Sequence, residues 1–369
     1  MHSTVLLVVV VATALGFDFT NGFHDTANVV ATTISTRALP PRVAVALASL
    51  LNFAGAFISL KVAATIGSGI VATGQVTLLV VFAGLVGAIA WNLATWYFGL
   101  PSSSSHALIG GVVGAMIAAA GTGGVQFDGL LGKVVIPALV SPVLAFVVAG
   151  LGIVLTYRLT AALRPSPAAR GFRAGQVVSG GMLALAHGTN DAQKTMGVIT
   201  LALVAHGDVP ASHFAVPAWV VATAATSIAL GTYAGGWRII RTMGSRIIKM
   251  DPAQGFTAQS AGAAVVLAAS HVGFPLSTTH VMAGGVMGAG AGKRLSAVRW
   301  GLAGNIAIAW VLTLPAAAAV GAATYGVTRL FGTGFLGPAV VLAAAAAAVA
   351  VALLARTRRA DARPAGAAP

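Results

Sequence analysis

Two segments of this chain carry the same chemistry at a fixed spacing: a proline, a run of hydroxyls, then a histidine. Gly99-Leu100-Pro101-Ser102-Ser103-Ser104-Ser105-His106 precedes Gly110-Gly111 and Gly114-Ala115. Gly273-Phe274-Pro275-Leu276-Ser277-Thr278-Thr279-His280 precedes Gly284-Gly285 and Gly288-Ala289, at a constant offset of 174 residues. In each, the proline is expected to stop an entering helix, and the hydroxyls supply the N-cap and first turn of a returning one. A helix start offers free backbone N–H groups and the positive end of a dipole, and with added hydroxyl donors it suits a tetrahedral oxyanion. Ser103, Ser104, Ser105, Ser277, Thr278 and Thr279 are the candidate anion ligands. A lone membrane hydroxyl more often bonds back to a carbonyl, but that does not explain two matched runs.

A second pair repeats at an offset of 166: Asn21-Gly22-Phe23-His24-Asp25 and His187-Gly188-Thr189-Asn190-Asp191, with Asn and His exchanged around a fixed Gly and Asp. The seven acids are all Asp, and of these Asp18, Asp25 and Asp191 fall inside apolar stretches. An ionisable group there is costly and functional by default. Asp25 and Asp191 form a pair of candidate cation or proton sites, with amide oxygens from Asn28 and Asn190. Hard cations take such oxygen ligands, so the two carboxylates are also the candidate metal ligands. Lys194 occupies the place that Asn28 holds in the first copy, where it would pair with Asp191 as a tethered cation. Asp18 has no repeat partner, because Ala184 stands at its equivalent, and structural and functional readings of it stand level. His24, His106, His187 and His280 each lie beside a motif, as proton relays or as interhelical hydrogen-bonders. Asn52, Asn92 and Asn305 read as interhelical contacts.

The elements that must position these groups are membrane helices. Of 369 residues, 57% are hydrophobic and 8% charged, with a mean hydropathy of +0.92, where a soluble domain carries roughly 25% charged residues. This excludes a soluble enzyme or nucleic-acid-binding module. Absence of cysteine removes disulfides and thiol chemistry. The net charge of +14 comes mostly from loops between apolar runs, which is a topology signal rather than a binding surface.

Apolar stretches occur at about 4–34, 43–60, 76–98, 106–121, 132–157, 176–205, 215–236, 258–273, 280–291, 298–326 and 335–355, against the 20 or so residues a span requires. The pieces after residues 105 and 279 are too short to cross. The expected organisation is a first repeat, 1–157, with a re-entrant hairpin at 76–121; a cytoplasmic linker, 158–175; a second repeat, 176–326, with a re-entrant hairpin at 258–291; an additional helix, 335–355; and a cytoplasmic tail, 356–369. No basic residues precede the first apolar run, so that helix is expected to be retained. With the Arg37 and Arg42 loop cytoplasmic, seventeen of the 21 basic residues lie inside and three, Lys61, Lys133 and Arg329, outside. That bias puts the N-terminus outside and the C-terminus in the cytoplasm.

Few basic residues flank the first hairpin and many flank the second, so the equivalent elements face opposite sides. The expected fold is therefore all-α: a polytopic membrane protein with an inverted-topology repeat and two re-entrant helical hairpins. Such folds bind substrate near the midplane with broken helices, which points to a carrier.

From Gly16 through Pro315 the chain resembles the inorganic phosphate transporter (PiT) family. The family's repeated signature is Gly-x-Asn-Asp with an Asn three residues after the Asp. It is matched by Gly22-Phe23-His24-Asp25 with Asn28, and by Gly188-Thr189-Asn190-Asp191 with Lys194. The hairpin motifs resemble its phosphate-binding tips. The resemblance implies import of inorganic phosphate by cation symport across the cell membrane, in a homodimer, with no cofactor and no nucleic-acid partner. His24 and Lys194 replace amides that resemble sodium ligands, which favours protons over sodium, as in bacterial members similar in carrying phosphate as a metal complex. A sulfate permease of the same fold and a sodium-coupled phosphate symporter are the alternatives. An anion channel and a membrane hydrolase are rivals from other classes, and the second is disfavoured because no Asp is expected near the tips to orient His106 or His280.

Overall fold

The computed structural model describes the backbone of residues 2–361 and the side chains of residues 3–351. Its helices are α1 (His2–Ser35), α2 (Pro41–Gly55), α3 (Lys61–Ser68), α4 (Leu78–Phe98), α5 (Ser104–Ala120), α6 (Phe127–Leu130), α7 (Ile136–Leu159), α8 (Pro165–His206), α9 (Ala218–Ala234), α10 (Trp237–Arg241), α11 (Pro252–His271), α12 (Thr278–Lys293), α13 (Trp300–Arg329) and α14 (Leu336–Asp361). Four of them, extended in one case through the adjoining turn, are long and apolar enough to cross a bilayer: Ser3–Ser35, Leu78–Phe98, Phe127–Leu159 and Trp300–Arg329. The pair Ala218–Ala234 and Trp237–Arg246, bent by 59°, makes a fifth. Leu139, Val143, Leu151 and Leu155 of α7, with Ile308, Val311 and Leu312 of α13, are exposed. Only a lipid solvent makes such an apolar outer face stable. The protein is all-α and multi-pass.

Two helical hairpins, α4–α5 and α11–α12, place the hydroxyl runs. The expectation that Pro101 and Pro275 end the entering helices needs correcting. Gly99 and Gly273, at φ 67 and 82, turn the chain two residues earlier in the left-handed region that only glycine enters without strain. The carbonyls left at those helix ends are met by cations from elsewhere in the chain. Arg238 of α10 donates to the Tyr97 carbonyl, and Lys61 of α3 donates to the His271 carbonyl at 2.9 Å.

The returning helices are held by partners from the opposite half of the sequence. In α5, Gly110 and Gly114 lie against the backbone of Leu314 and Ala318 in α13. In α12, Gly284 and Gly288 lie against Pro142 and Phe146 in α7. The same exchange recurs around the Asp-bearing helices: Gly22 of α1 meets Ile228 of α9, and Gly188 of α8 meets Asn52 of α2. No side chain fits at these crossings, so the glycines set how closely the helices approach.

Several boundaries differ from the sequence expectation. The segment 158–175 is largely helical, since α7 runs to Leu159 and α8 starts at Pro165. Proline at the first helical position of α8 explains the early start. Helix α14 continues to Asp361, past the expected end at 355, and the last residues of the expected tail lie outside those described. Helices α3 and α10 were not expected from the sequence; Gln193 of α8 starts α3 by accepting from the backbone N–H groups of Val62 and Ala63 at 2.9 and 3.2 Å.

Candidate substrate and ion site

Four elements meet in the interior: the middles of α1 and α8 and the N-termini of α5 and α12. The hydroxyl three residues before the histidine of each run is used as a cap. Ser103 accepts from the His106 N–H at 3.1 Å, and Ser277 accepts from the His280 N–H at 3.3 Å. The next two positions of each run face the Asp motifs. Ser104 donates to Asp25 Oδ2 at 2.6 Å. Thr279 Oγ1 lies 3.4 Å from Asp25 Oδ1, and Thr278 Oγ1 lies 3.5 Å from Asp191 Oδ2. Asn28 Nδ2 donates to Thr279 at 2.9 Å and to Thr278 at 3.3 Å. The groups from the two distant motif pairs thus form one cluster, and all of them are buried.

Lys194 is the cation of this cluster and is 1% exposed. Its Nζ donates to Asp191 Oδ1 at 2.6 Å, to the Leu276 carbonyl at 2.8 Å, and to Ser105 Oγ. The ammonium therefore joins α8 to both hairpin tips. A buried ion pair of this kind holds only if its remaining hydrogen-bonding capacity is met, and here all three ammonium protons have acceptors.

Each of the two carboxylates also has a histidine. His24 Nδ1 lies 2.7 Å from Asp25 Oδ1, while its Nε2 lies 3.2 Å from Thr95 Oγ1, which receives the Ser102 hydroxyl at 2.8 Å. His187 Nε2 lies 3.3 Å from Asp191 Oδ2. Its Nδ1 lies 3.2 Å from Asn52 Oδ1, and Asn52 in turn donates to Thr232 at 2.8 Å. The sequence does not set His187 apart from the other motif histidines; its i, i+4 spacing to Asp191 is the signal that pairs it with the carboxylate.

Asn28 and Asn190 keep their amide oxygens buried and without a partner, while their Nδ2 groups are engaged. Two oxygens of the kind a cation takes therefore remain open. Among the described residues one group has metal-ligand spacing: Asp25, His187 and Asp191 each present an atom within 4.8 Å of the others. His187 thus joins the two carboxylates expected as metal ligands.

His106 and His280 do not join the carboxylates. Their rings meet edge to face at 4.7 Å, and His280 packs on Trp310 at 4.1 Å. The expectation of no Asp near the tips fails for the hydroxyls, since Asp25 reaches Ser104. A Ser-His-Asp relay is nevertheless not assembled, because neither tip histidine contacts an acid. Of the three asparagines expected to bridge helices only Asn52 does so; Asn305 is exposed, and Asn92 is buried with neither amide atom partnered.

Apolar helices enclosing two hydroxyl-bearing helix starts, a paired lysine and two carboxylates define a membrane protein with a buried polar binding site. The chain belongs to the phosphate transporter family, whose model matches residues 21–321. It is 53% identical over 355 residues, covering 96% of this chain and 85% of its relative, to a protein of Mycobacterium tuberculosis (strain CDC 1551 / Oshkosh) named probable low-affinity inorganic phosphate transporter. Proteins of the same name in Rhizobium meliloti and Bacillus subtilis are 51% and 44% identical, over 87% and 88% of this chain and 96% and 98% of theirs. A solved structure described as the sodium-dependent phosphate transporter superposes with a TM-score of 0.79 at 26% identity, covering 88% of this chain and 99% of that one. These relatives are transporters, and the protein is a transporter rather than an enzyme.

Proposed function

We propose that the protein imports inorganic phosphate by symport with protons, binding the anion between the tips of α5 and α12. The observation that carries this reading is the convergence of two hydroxyl-bearing helix N-termini on Lys194, Asp25 and Asp191. Phosphate would take over the hydroxyls of Ser104, Ser105, Thr278 and Thr279, the free N–H groups behind Ser103 and Ser277, and the Lys194 ammonium. A monohydrogen phosphate also brings an O–H donor, for which a carboxylate is the matching acceptor; sulfate has none. Asp25, next to Ser104, supplies that acceptor.

Proton coupling follows from Lys194 and His24. Lys194 sits against Asp191 where a sodium ion would otherwise balance the charge, and His24 does the same for Asp25. Asp25 lacks a permanent cation and carries the proton, while Asp191 stays ionised beside Lys194. The crossed packing of the hairpins suits an inverted repeat, with the N-terminus outside and the C-terminus cytoplasmic. A second reading adds a divalent metal ion as co-substrate, supported by the Asp25, His187 and Asp191 spacing. It predicts phosphate uptake that rises with added magnesium or manganese and stops with a chelator.

The deciding experiment is radiolabelled phosphate uptake into proteoliposomes with proton and sodium gradients imposed separately. Accumulation under the proton gradient alone is expected. Accumulation that follows sodium at constant pH and ignores the proton gradient rules out proton coupling.

A further inference from the structure

We propose that Asp18 is a second proton-binding site, held as a neutral carboxylic acid and distinct from the Asp25 and Asp191 pair. The inference rests on the phosphate–proton reading above and adds one proton to it. Asp18 lies two turns before Asp25 on α1 and is 0% exposed. Its Oδ1 accepts the Thr195 hydroxyl at 2.8 Å. Its Oδ2 is buried and has no partner, and neither has Oδ1 of Asn21, one turn further along the same face. Asn21 reaches the Asp18 carboxyl, and residues three apart on a helix are neighbours. That reach is through the amide N–H, which leaves Asp18 Oδ2 and Asn21 Oδ1 as two separate unpartnered acceptors, each expensive to bury. With the Asn21 amide turned over about its last bond, one proton on Asp18 Oδ2 donated to Asn21 Oδ1 satisfies both.

The surrounding charges agree. Asp25 has His24 and Asp191 has Lys194, but no ion pair among the described residues involves Asp18. The charged groups acting on it both come from α8: Asp191, a like charge, and Lys194, an opposite one already committed to Asp191, Ser105 and Leu276. Of the other helices packed on α1, α4 and α9 carry only Tyr97 and Tyr233 as titratable groups, both well exposed. The basic residues of α10 and the turn after it, Arg238, Arg241 and Arg246, make no ion pair with Asp18, nor do Arg42 of α2, His106 of α5, His187 of α8, His271 of α11, and His280 and Lys293 of α12. A buried carboxylate without a counter-ion is so costly that the neutral acid is the stable form.

This arrangement couples the proton to the anion. Thr195, the donor to Asp18, follows Lys194 directly in α8. When phosphate draws on the Lys194 charge, less positive charge faces Asp18, and the acid holds its proton more firmly. By linkage, the proton strengthens anion binding to the same degree. Departure of phosphate restores the lysine field and favours release.

Infrared spectra of the purified protein in lipid at neutral pH test this without any phosphate. With only seven carboxyl side chains in the sequence, a protonated-carboxyl stretching band is expected in the wild type and should lose one group's intensity in Asp18→Asn. If that variant does not fold, Asn21→Ala should shift the band, because the acceptor is lost and the acid kept. A wild type with no protonated carboxyl, or a band unchanged in Asp18→Asn, overturns the proposal whatever the transport assay gives. In proteoliposomes, Asp18→Asn should keep phosphate–phosphate exchange, but its accumulation ratio should fall about tenfold per unit of pH gradient, the value of one proton. An unchanged ratio also overturns it. Absence of proton-driven uptake in the wild type would instead defeat the transport reading and leave the infrared result standing.

Discussion

At the scale of residues, Lys194 decides how the two carboxylates differ. Its ammonium is the one fixed positive charge against Asp191, and nothing comparable faces Asp25. Lys194→Ala is expected to leave Asp191 buried without its fixed cation and with only the His187 imidazole beside it, at a cost of up to about 3–5 kcal/mol in unfolding free energy; thermal unfolding in detergent checks this. Lys194→Asn restores the amide found at Asn28 and is expected to make uptake respond to sodium, read from flux at constant pH. Asp25→Asn should lower the proton-driven accumulation ratio by about tenfold per unit of pH gradient, the value of one proton, and keep phosphate exchange, because exchange needs the anion site and no net proton movement. The repeat exposed Asp25, Asp191 and Lys194 to sequence reading, since an acid or base inside an apolar run is costly to bury and persists at matched positions where it is used. Three-dimensional facts stayed hidden. Nothing in the spacing says that Ser103 and Ser277 serve as caps or that the Asn28 amide donates rather than accepts, whereas the i, i+4 spacing of His187 to Asp191 was there to be read.

At the scale of elements, the hairpins work because small residues let each returning helix lie on a helix from the opposite half. Gly288→Leu would drive a side chain into the Phe146 backbone of α7. Overpacking of this kind costs typically ~1–3 kcal/mol, and here it also displaces the α12 tip, so loss of phosphate binding is expected along with reduced thermal stability. The far end of the second hairpin is held by Asp251, which caps α11 and accepts the Tyr157 hydroxyl at 2.6 Å and the Lys293 ammonium at 2.9 Å. Burial alone would raise the Asp251 carboxyl, but the Tyr157 hydroxyl, the Gln254 backbone N–H and Lys293 hold it below its ordinary value. A group depressed in the folded state contributes stability above its unfolded value and loses it as pH falls through the folded one. Asp251→Ala should therefore be less stable than wild type near neutral pH, by about 1 kcal/mol from the lost cap, and the gap should narrow in acid below the usual Asp range. Both hairpins were legible in the sequence as apolar runs broken by Pro and hydroxyls. Helices α3 and α10 were not, because eight and five residues are too few for a periodic signal and their start depends on contacts with α8 and α1.

At the scale of the whole molecule, composition and the distribution of basic residues were enough to read a multi-pass membrane protein, while the exchange of packing partners between halves appears only in three dimensions. Orientation is testable because the chain has no native cysteine. A cysteine at Ser212 should react with an impermeant thiol reagent from outside intact cells and one at Ser166 should not; the reverse labelling would invert the topology. The central claim is that both hairpin tips hold one phosphate. Equilibrium binding of radiolabelled phosphate to purified protein carrying Ser104→Ala together with Thr278→Ala tests it most directly, since each change removes one donor from a different tip. Two lost donors to a charged ligand, at about 1.5–3 kcal/mol each, predict at least a hundredfold weaker binding in a protein that still folds. Wild-type affinity in the folded double variant would contradict the account.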